Sequence, residues 1–86
     1  MKIKNLICTG SGCPTQWDAM TEDGKHVYIR YRFGNLCVGI GDTEGEAIGN
    51  SRNIDKAFLF KSVGDPLDGS MGDLDMLRHT GLELMP

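Results

Sequence analysis

Apolar and polar positions alternate most cleanly between residues 26 and 41. Tyr28 and Arg30 separate Val27, Ile29 and Tyr31, and Cys37 and Gly39 separate Leu36, Val38 and Ile40. A period of two marks strands with one buried face. The glycine between the two runs marks a hairpin. With Gly34-Asn35 as a two-residue turn between strands 26–33 and 36–41, Phe33 faces Leu36, Tyr31 faces Val38 and Ile29 faces Ile40. Val27, Ile29, Tyr31, Phe33, Leu36, Val38 and Ile40 then share the core face, because a strand's register fixes which side chains are buried. The opposite face pairs Arg32 with Cys37, Arg30 with Gly39 and Tyr28 with Gly41.

A strand over 15–21 precedes the hairpin and turns through Asp23-Gly24. A two-residue loop there would place Asp18 and Gln16 in the core. A three-residue loop with Gly24 left-handed places Trp17 and Ala19 beside Val27 and Ile29, and sends Asp18 to the Arg30 side. An unpaired buried carboxylate costs on the order of several kcal/mol, so the three-residue loop is expected. Residues 2–9 read as a first strand ended by Gly10-Ser11-Gly12. Thr43 and Glu46 have capping-box spacing, but the flanking glycines make this a weak helix that Gly49 could close after one turn. Residues 57–63, AFLFKSV, are apolar on both faces and read as a more buried strand, followed by a Gly64-Asp65-Pro66 turn. The last element reads as a helix with Ser70 as N-cap and Asp68 and Asp73 near its positive end. Met71, Leu74, Leu77 and Arg78 follow helical spacing, and Gly81 is the stop.

These elements predict one α+β domain over residues 1–86: an antiparallel sheet of four or five strands with one C-terminal helix packed on it. The expected core is Leu6, Trp17, Val27, Ile29, Tyr31, Leu36, Val38, Ile40, Phe58, Phe60, Leu74 and Leu77.

Composition agrees with a small folded domain. The 86 residues include 12 glycines, which points to many turns and short strands. No run of apolar residues is long enough for a membrane span, and the start MKIKNLIC does not read as a signal peptide, so no membrane and a cytoplasmic setting are expected. Net charge is −3. Residues 1–40 hold five Lys and Arg against three carboxylates, and residues 41–86 hold four against nine. The acidic half disfavours phosphate backbones and suits a basic protein partner, or serves solubility alone. Three cysteines in a cytosolic protein are expected to be reduced. Cys8 and Cys13 bracket a glycine loop and could pair under oxidation, although a buried free thiol is the commoner fate.

Catalytic chemistry finds little support. A zinc site from Cys8, Cys13, Cys37 and His26 fails because Cys37 opposite Arg32 lies six residues along the strand from His26, roughly 20 Å away, and a Cys8, Cys13 and Cys37 site completed by water stays open with only a weak C-x4-C signal behind it. Neither histidine stands in a recognisable motif beside a cysteine nucleophile. Gly10-Ser11-Gly12 lacks the ending of a phosphate loop. No enzyme, cofactor or metal is expected. Two surfaces remain. The first is the non-core hairpin face, where Tyr28, Arg30 and Arg32 stand over small residues and leave a shallow groove for nucleic acid or a phosphorylated ligand. Such a strip could also be ordinary solvated sheet or lie under a helix. The second is the acidic set Asp42, Glu44, Glu46, Asp73 and Asp75, which could form one negative surface that imitates nucleic-acid phosphates, or simply be solvated.

The segment from Leu6 to Asp18, LICTGSGCPTQWD, with the Asp23-Gly24 turn and VYIRYRFG over 27–34, resembles small uncharacterised proteins of bacteriophages and related bacterial elements. Those share a C-T-G-S-G-C-P-x-Q-aromatic opening and an arginine hairpin. The likeness covers about the first 40 residues. It implies a phage context, in which small proteins often bind and block a host machine, anti-CRISPR proteins among them; that step is analogy by size and origin. The expectation is a non-enzymatic inhibitor of a host protein or ribonucleoprotein complex such as a CRISPR effector, binding through Asp42, Glu44, Glu46, Asp73 and Asp75. The runner-up is a small regulator that binds nucleic acid or a phosphorylated ligand through Tyr28, Arg30 and Arg32.

Overall fold

The computed structural model describes residues 1–12, 14–64 and 70–85. Cys13, Asp65, Pro66 and Asp68 lie outside the described residues, and with them the proposed Cys8–Cys13 pair and the Gly64-Asp65-Pro66 turn. The chain forms β1 (Lys2–Ser11), β2 (Thr15–Thr21), β3 (His26–Arg32), β4 (Asn35–Gly41), α1 (Glu44–Ser51), β5 (Leu59–Ser62), α2 (Asp73–Thr80) and β6 (Glu83–Leu84). The strands make one sheet in the order β5-β4-β3-β2-β1-β6. The first five pair antiparallel, and β6 runs parallel to β1. Among the described residues the fold is therefore α+β with a mixed six-stranded sheet and two helices, not a purely antiparallel sheet with one helix. The extra strand is two residues long, too short to show alternation. Glu83 N–H donates to Met1 O at 2.9 Å and Met85 N–H to Ile3 O at 2.8 Å.

The β2–β3 register is the expected one. Trp17 lies opposite Ile29 and Ala19 opposite Val27. Gly24 has φ 90°, and Thr21 N–H donates to Lys25 O at 2.9 Å across a three-residue loop. The β3–β4 register differs from expectation by two residues: Tyr31 faces Leu36, Ile29 faces Val38 and Val27 faces Ile40. The turn centres on Phe33-Gly34, at φ 54° and 75°, not on Gly34-Asn35. Twisted hairpins favour turns with positive φ at both central residues. A slip of two leaves every strand residue on its expected face. It removes Phe33 from the ladder, where it is 53% exposed rather than part of the core.

Helices cover both faces of the sheet. Thr43 caps α1, its hydroxyl accepting from Glu46 N–H at 3.2 Å, which is the Thr43 half of the expected capping box. The helix runs past Gly49 to Ser51 because it packs on β4 along its length. Asn50 Nδ2 donates to Ile40 O at 2.8 Å and fixes that packing. On the other face, α2 begins after Gly72 rather than after Ser70, and no side chain caps it. Trp17 Nε1 donates to Asp73 Oδ1 at 2.7 Å. That bond turns the stripe of residues 73, 76, 77 and 80 inward. Met76 is fully buried, Leu77 packs against the core, and Leu74 is 79% exposed instead of buried. Gly81 ends the helix at φ 74°, as expected. The core joins Ile3, Trp17, Ala19, Val27, Ile29, Tyr31, Leu36, Val38, Met76 and Leu82. Residues 57–63 do not form a buried strand. β5 is an edge strand, and Phe58 and Phe60 are about half exposed, not core. Among the described residues no helix is long and apolar enough to cross a membrane.

Candidate functional site

The hairpin face opposite the core holds Tyr28, Arg30 and Arg32, paired with Gly39, Cys37 and Asn35 respectively. The expected open groove over Gly39 and Gly41 does not exist, because α1 fills it. A Cβ at Gly41 would come within 2.6 Å of Glu46 Cβ and 2.8 Å of Ala47 N, and one at Gly39 would run into Ala47 O and Ser51 N. Tyr28 lies in this covered stretch, is buried, and is no part of an exposed contact surface. Burial pushes its phenol pKa up, opposed by Arg30 and then Arg52. The helix leaves each end of the face uncovered, and the two ends differ in charge.

Beyond the C-terminus of α1, Arg30, Arg32, Phe33, Asn35, Cys37 and Phe60 line a recess of about 160 Å³. Four elements meet there: β3 supplies the arginines, the turn Phe33, β4 Asn35 and Cys37, and the edge strand β5 Phe60. Val63 N–H donates to Gly34 O at 2.9 Å and ties the segment after β5 to the turn. The Arg32 guanidinium sits 4.6 Å from the centre of the Phe33 ring, a cation–π contact that holds both side chains in place. Arg30 Nε is buried and has no hydrogen-bond acceptor among the described residues. Burial also pushes the Cys37 thiol above its ordinary pKa, with Arg30 opposing. A thiol held protonated is a poor nucleophile.

At the other end, Asn5, Ile7, Asp18, Met20, His26 and Glu44 are among the residues that line a groove of about 260 Å³. The β1 register shifts between Lys4 and Ile7, with Asn5 at φ 57°, and Ile7 is left 61% exposed at the groove wall. The Asp18 carboxyl is raised by burial and by the nearby Glu44, and His26 works against that shift.

The acidic set expected to act together is divided. Asp42, Glu44 and Glu46 are exposed at the start of α1, whereas Asp73 and Asp75 belong to α2 on the other side of the sheet. Asp73 is engaged by the Trp17 indole, and Asp75 pairs with Arg78 at 3.8 Å on the surface. Asp18 reaches the same face as Arg30, but its cross-strand partner is Tyr28, and no Asp18–Arg30 ion pair forms. Cys37 faces Arg30 rather than Arg32, which puts it four residues along the strand from His26, roughly 13 Å. Among the described residues, no three His, Cys, Asp or Glu side chains converge as a set of metal ligands.

Phe33 and Phe60 are the site residues that sequence reasoning missed, having been placed in the core. Phe33-Gly34 at the hairpin tip is the available signal, since glycine suits the second positive-φ position of such a turn. No protein-family model, curated protein or solved structure matches the chain.

Proposed function

We propose that this is a non-enzymatic binding protein that acts by covering a surface of a partner, in the manner of a phage inhibitor of a host protein or ribonucleoprotein machine such as a CRISPR effector. Its contact surface is the arginine–aromatic end of the β3–β4 hairpin rather than the carboxylates. The observation that carries this reading is the meeting of two half-exposed aromatic rings, Phe33 and Phe60, with Arg30 and Arg32 around one recess. Protein-binding surfaces are enriched in aromatic residues and arginine, and large exposed apolar groups with a polar rim mark contact sites. The carboxylates offer less. They are split between the two sides of the sheet, and Asp73 already serves the fold.

Direct binding of nucleic acid would use the same rings for base stacking. The charge distribution favours a protein. Net charge is −3, and the same face carries Asp18 and Glu44 at its other end, where a phosphate chain would be repelled.

Affinity capture from a bacterial lysate tests the reading with two double variants. Arg32→Ala with Phe60→Ala should lose the captured partner. Glu44→Lys with Glu46→Lys should keep it, with circular dichroism unchanged in both. Retention by the first pair and loss by the second would return the contact surface to the carboxylates. A gel shift with single-stranded DNA or RNA at ordinary salt, in the absence of protein capture, would replace the protein partner with nucleic acid.

A further inference from the structure

We infer that the free edge of β5 pairs with the β5 edge of a second copy of this chain, joining two sheets across a two-fold axis at Phe60. This goes beyond the proposed partner surface and does not depend on it. Among the described residues β5 ends the sheet, with β4 on one side and no strand on the other. Lys61 lies opposite Leu36, and the bond from Val63 N–H to Gly34 O continues the same register. In an antiparallel ladder, residues that bond to the neighbouring strand alternate with residues whose N–H and C=O point the other way. Leu59, Lys61 and Val63 therefore turn towards β4, and Phe60 and Ser62 turn their backbone groups to the open side. Both are exposed, and Phe58 and Phe60 keep 47% and 46% of their surface in water. Unpaired backbone groups beside exposed apolar side chains are a template for another strand, and natural edges are commonly guarded by a lysine. Here Lys61 is drawn to the α2 side, its Nζ donating to His79 O at 3.5 Å.

Register and charge suit a second copy. A two-fold contact must complement itself. Antiparallel pairing centred on Phe60 lets the two Phe60 residues exchange both backbone hydrogen bonds. It sets Leu59 opposite the second copy's Lys61, and Phe58 opposite Ser62. The two Phe60 rings then stand side by side on one face, a favourable cross-strand pair. Centring on Lys61 instead would set two lysines directly opposite and is disfavoured. Arg30 lies two strands in from the edge, so its two copies are about 24 Å apart at ~4.8 Å per strand, beyond the screening length of about 8–10 Å. The pair uses both β5 edges at once, so association through them stops at two chains. Area sets its strength. Covering the exposed halves of two rings in each copy removes roughly 400 Å² of apolar surface, at about 200 Å² per aromatic side chain. That is well below the roughly 1,200 Å² at which stable interfaces begin, so the dimer is weak, with a Kd on the order of 0.1 mM.

Sedimentation equilibrium of the purified full chain, from about 10 µM to about 1 mM, reads this association. The mass should rise from one chain towards two and no further. Phe60→Lys sets two like charges opposite each other at the axis and should weaken association at least about tenfold, with circular dichroism unchanged. Leu74→Lys puts the same charge on an apolar residue that is 79% exposed on α2, and should leave association as it was. Amide hydrogen exchange of the unaltered chain reads the edge itself. Protection of the Phe60 N–H should grow with protein concentration, whereas that of Lys61, which faces β4, should not. A single-chain mass at about 1 mM, growth beyond two chains, full association of Phe60→Lys, an equal loss with Leu74→Lys, or Phe60 exchange indifferent to concentration would each overturn the inference.

Discussion

At Gly39 the sheet and α1 approach so closely that a single methyl group decides stability. An alanine Cβ there meets Ala47 O and Ser51 N, which are backbone atoms of the helix and cannot swing aside. Overpacking of this kind costs about 1–3 kcal/mol when side chains can yield, and a backbone obstacle belongs at or above the upper end. Gly39→Ala should therefore lower unfolding stability by about 3 kcal/mol, seen as a shift of the urea midpoint. Gly12→Ala, where a Cβ would touch nothing within 4 Å, is the matched control and should change little. An equal effect at both positions would mean that α1 does not sit on β4 as described. The sequence alone could not decide between an open groove and a packed helix here. Both need a small residue opposite Tyr28, and only the position of α1 separates them.

The hairpin shows how one element serves two demands. Its turn holds Phe33 at φ 54°, a conformation that costs a residue with a Cβ roughly 1–2 kcal/mol and that asparagine tolerates well. Phe33→Asn should therefore raise stability by about 1 kcal/mol in urea unfolding while weakening capture of the partner. A variant that gains stability and keeps full capture would show that Phe33 is only a turn residue. The alternation of Val27, Ile29 and Tyr31 with Arg30 made the strands and their faces legible, because a period of two survives any even slip in register. The turn position was not legible. Gly34 can occupy either central position, and the choice moves Phe33 between ladder and tip. Residues 57–63 misled for a related reason. Hydrophobic content separates strand from loop but not an edge from a centre, and Phe58 and Phe60 lie at the edge of the sheet, about half exposed. α2 was legible in its existence and its Gly81 stop, but not in its start, which follows Gly72 and not Ser70, nor in its rotation, which the distant Trp17–Asp73 bond sets.

Over the whole molecule, α1 divides one face into a basic, aromatic end and an acidic end, and the acidic end has a measurable effect on stability. Asp18 is partly buried beside Glu44, and both effects raise its carboxyl above the ordinary value, with His26 opposing. The folded protein then holds the Asp18 proton more tightly than the unfolded chain does. Between the ordinary carboxylate value and the raised one, folding takes up protons, so this contribution to stability falls as pH rises through that window. Above the window the folded state carries the full cost of an ionised Asp18. Asp23 acts in the opposite sense and at lower pH: its hydrogen bond with the Thr21 hydroxyl lowers its carboxyl, and that contribution is lost as pH falls through the lowered value. The two windows lie on either side of the ordinary carboxylate value and can be separated by mutation. Asp18→Asn should stabilise the protein near neutral pH by less than about 1 kcal/mol, because the carboxylate remains partly wet. The gain should shrink towards zero at about pH 3, where Asp18 is protonated in both states. Urea unfolding of the two proteins at both pH values reads the difference directly. Destabilisation by Asp18→Asn at neutral pH would mean that the ionised carboxylate is held by a favourable contact with His26, and that the acidic end supports the fold rather than burdening it.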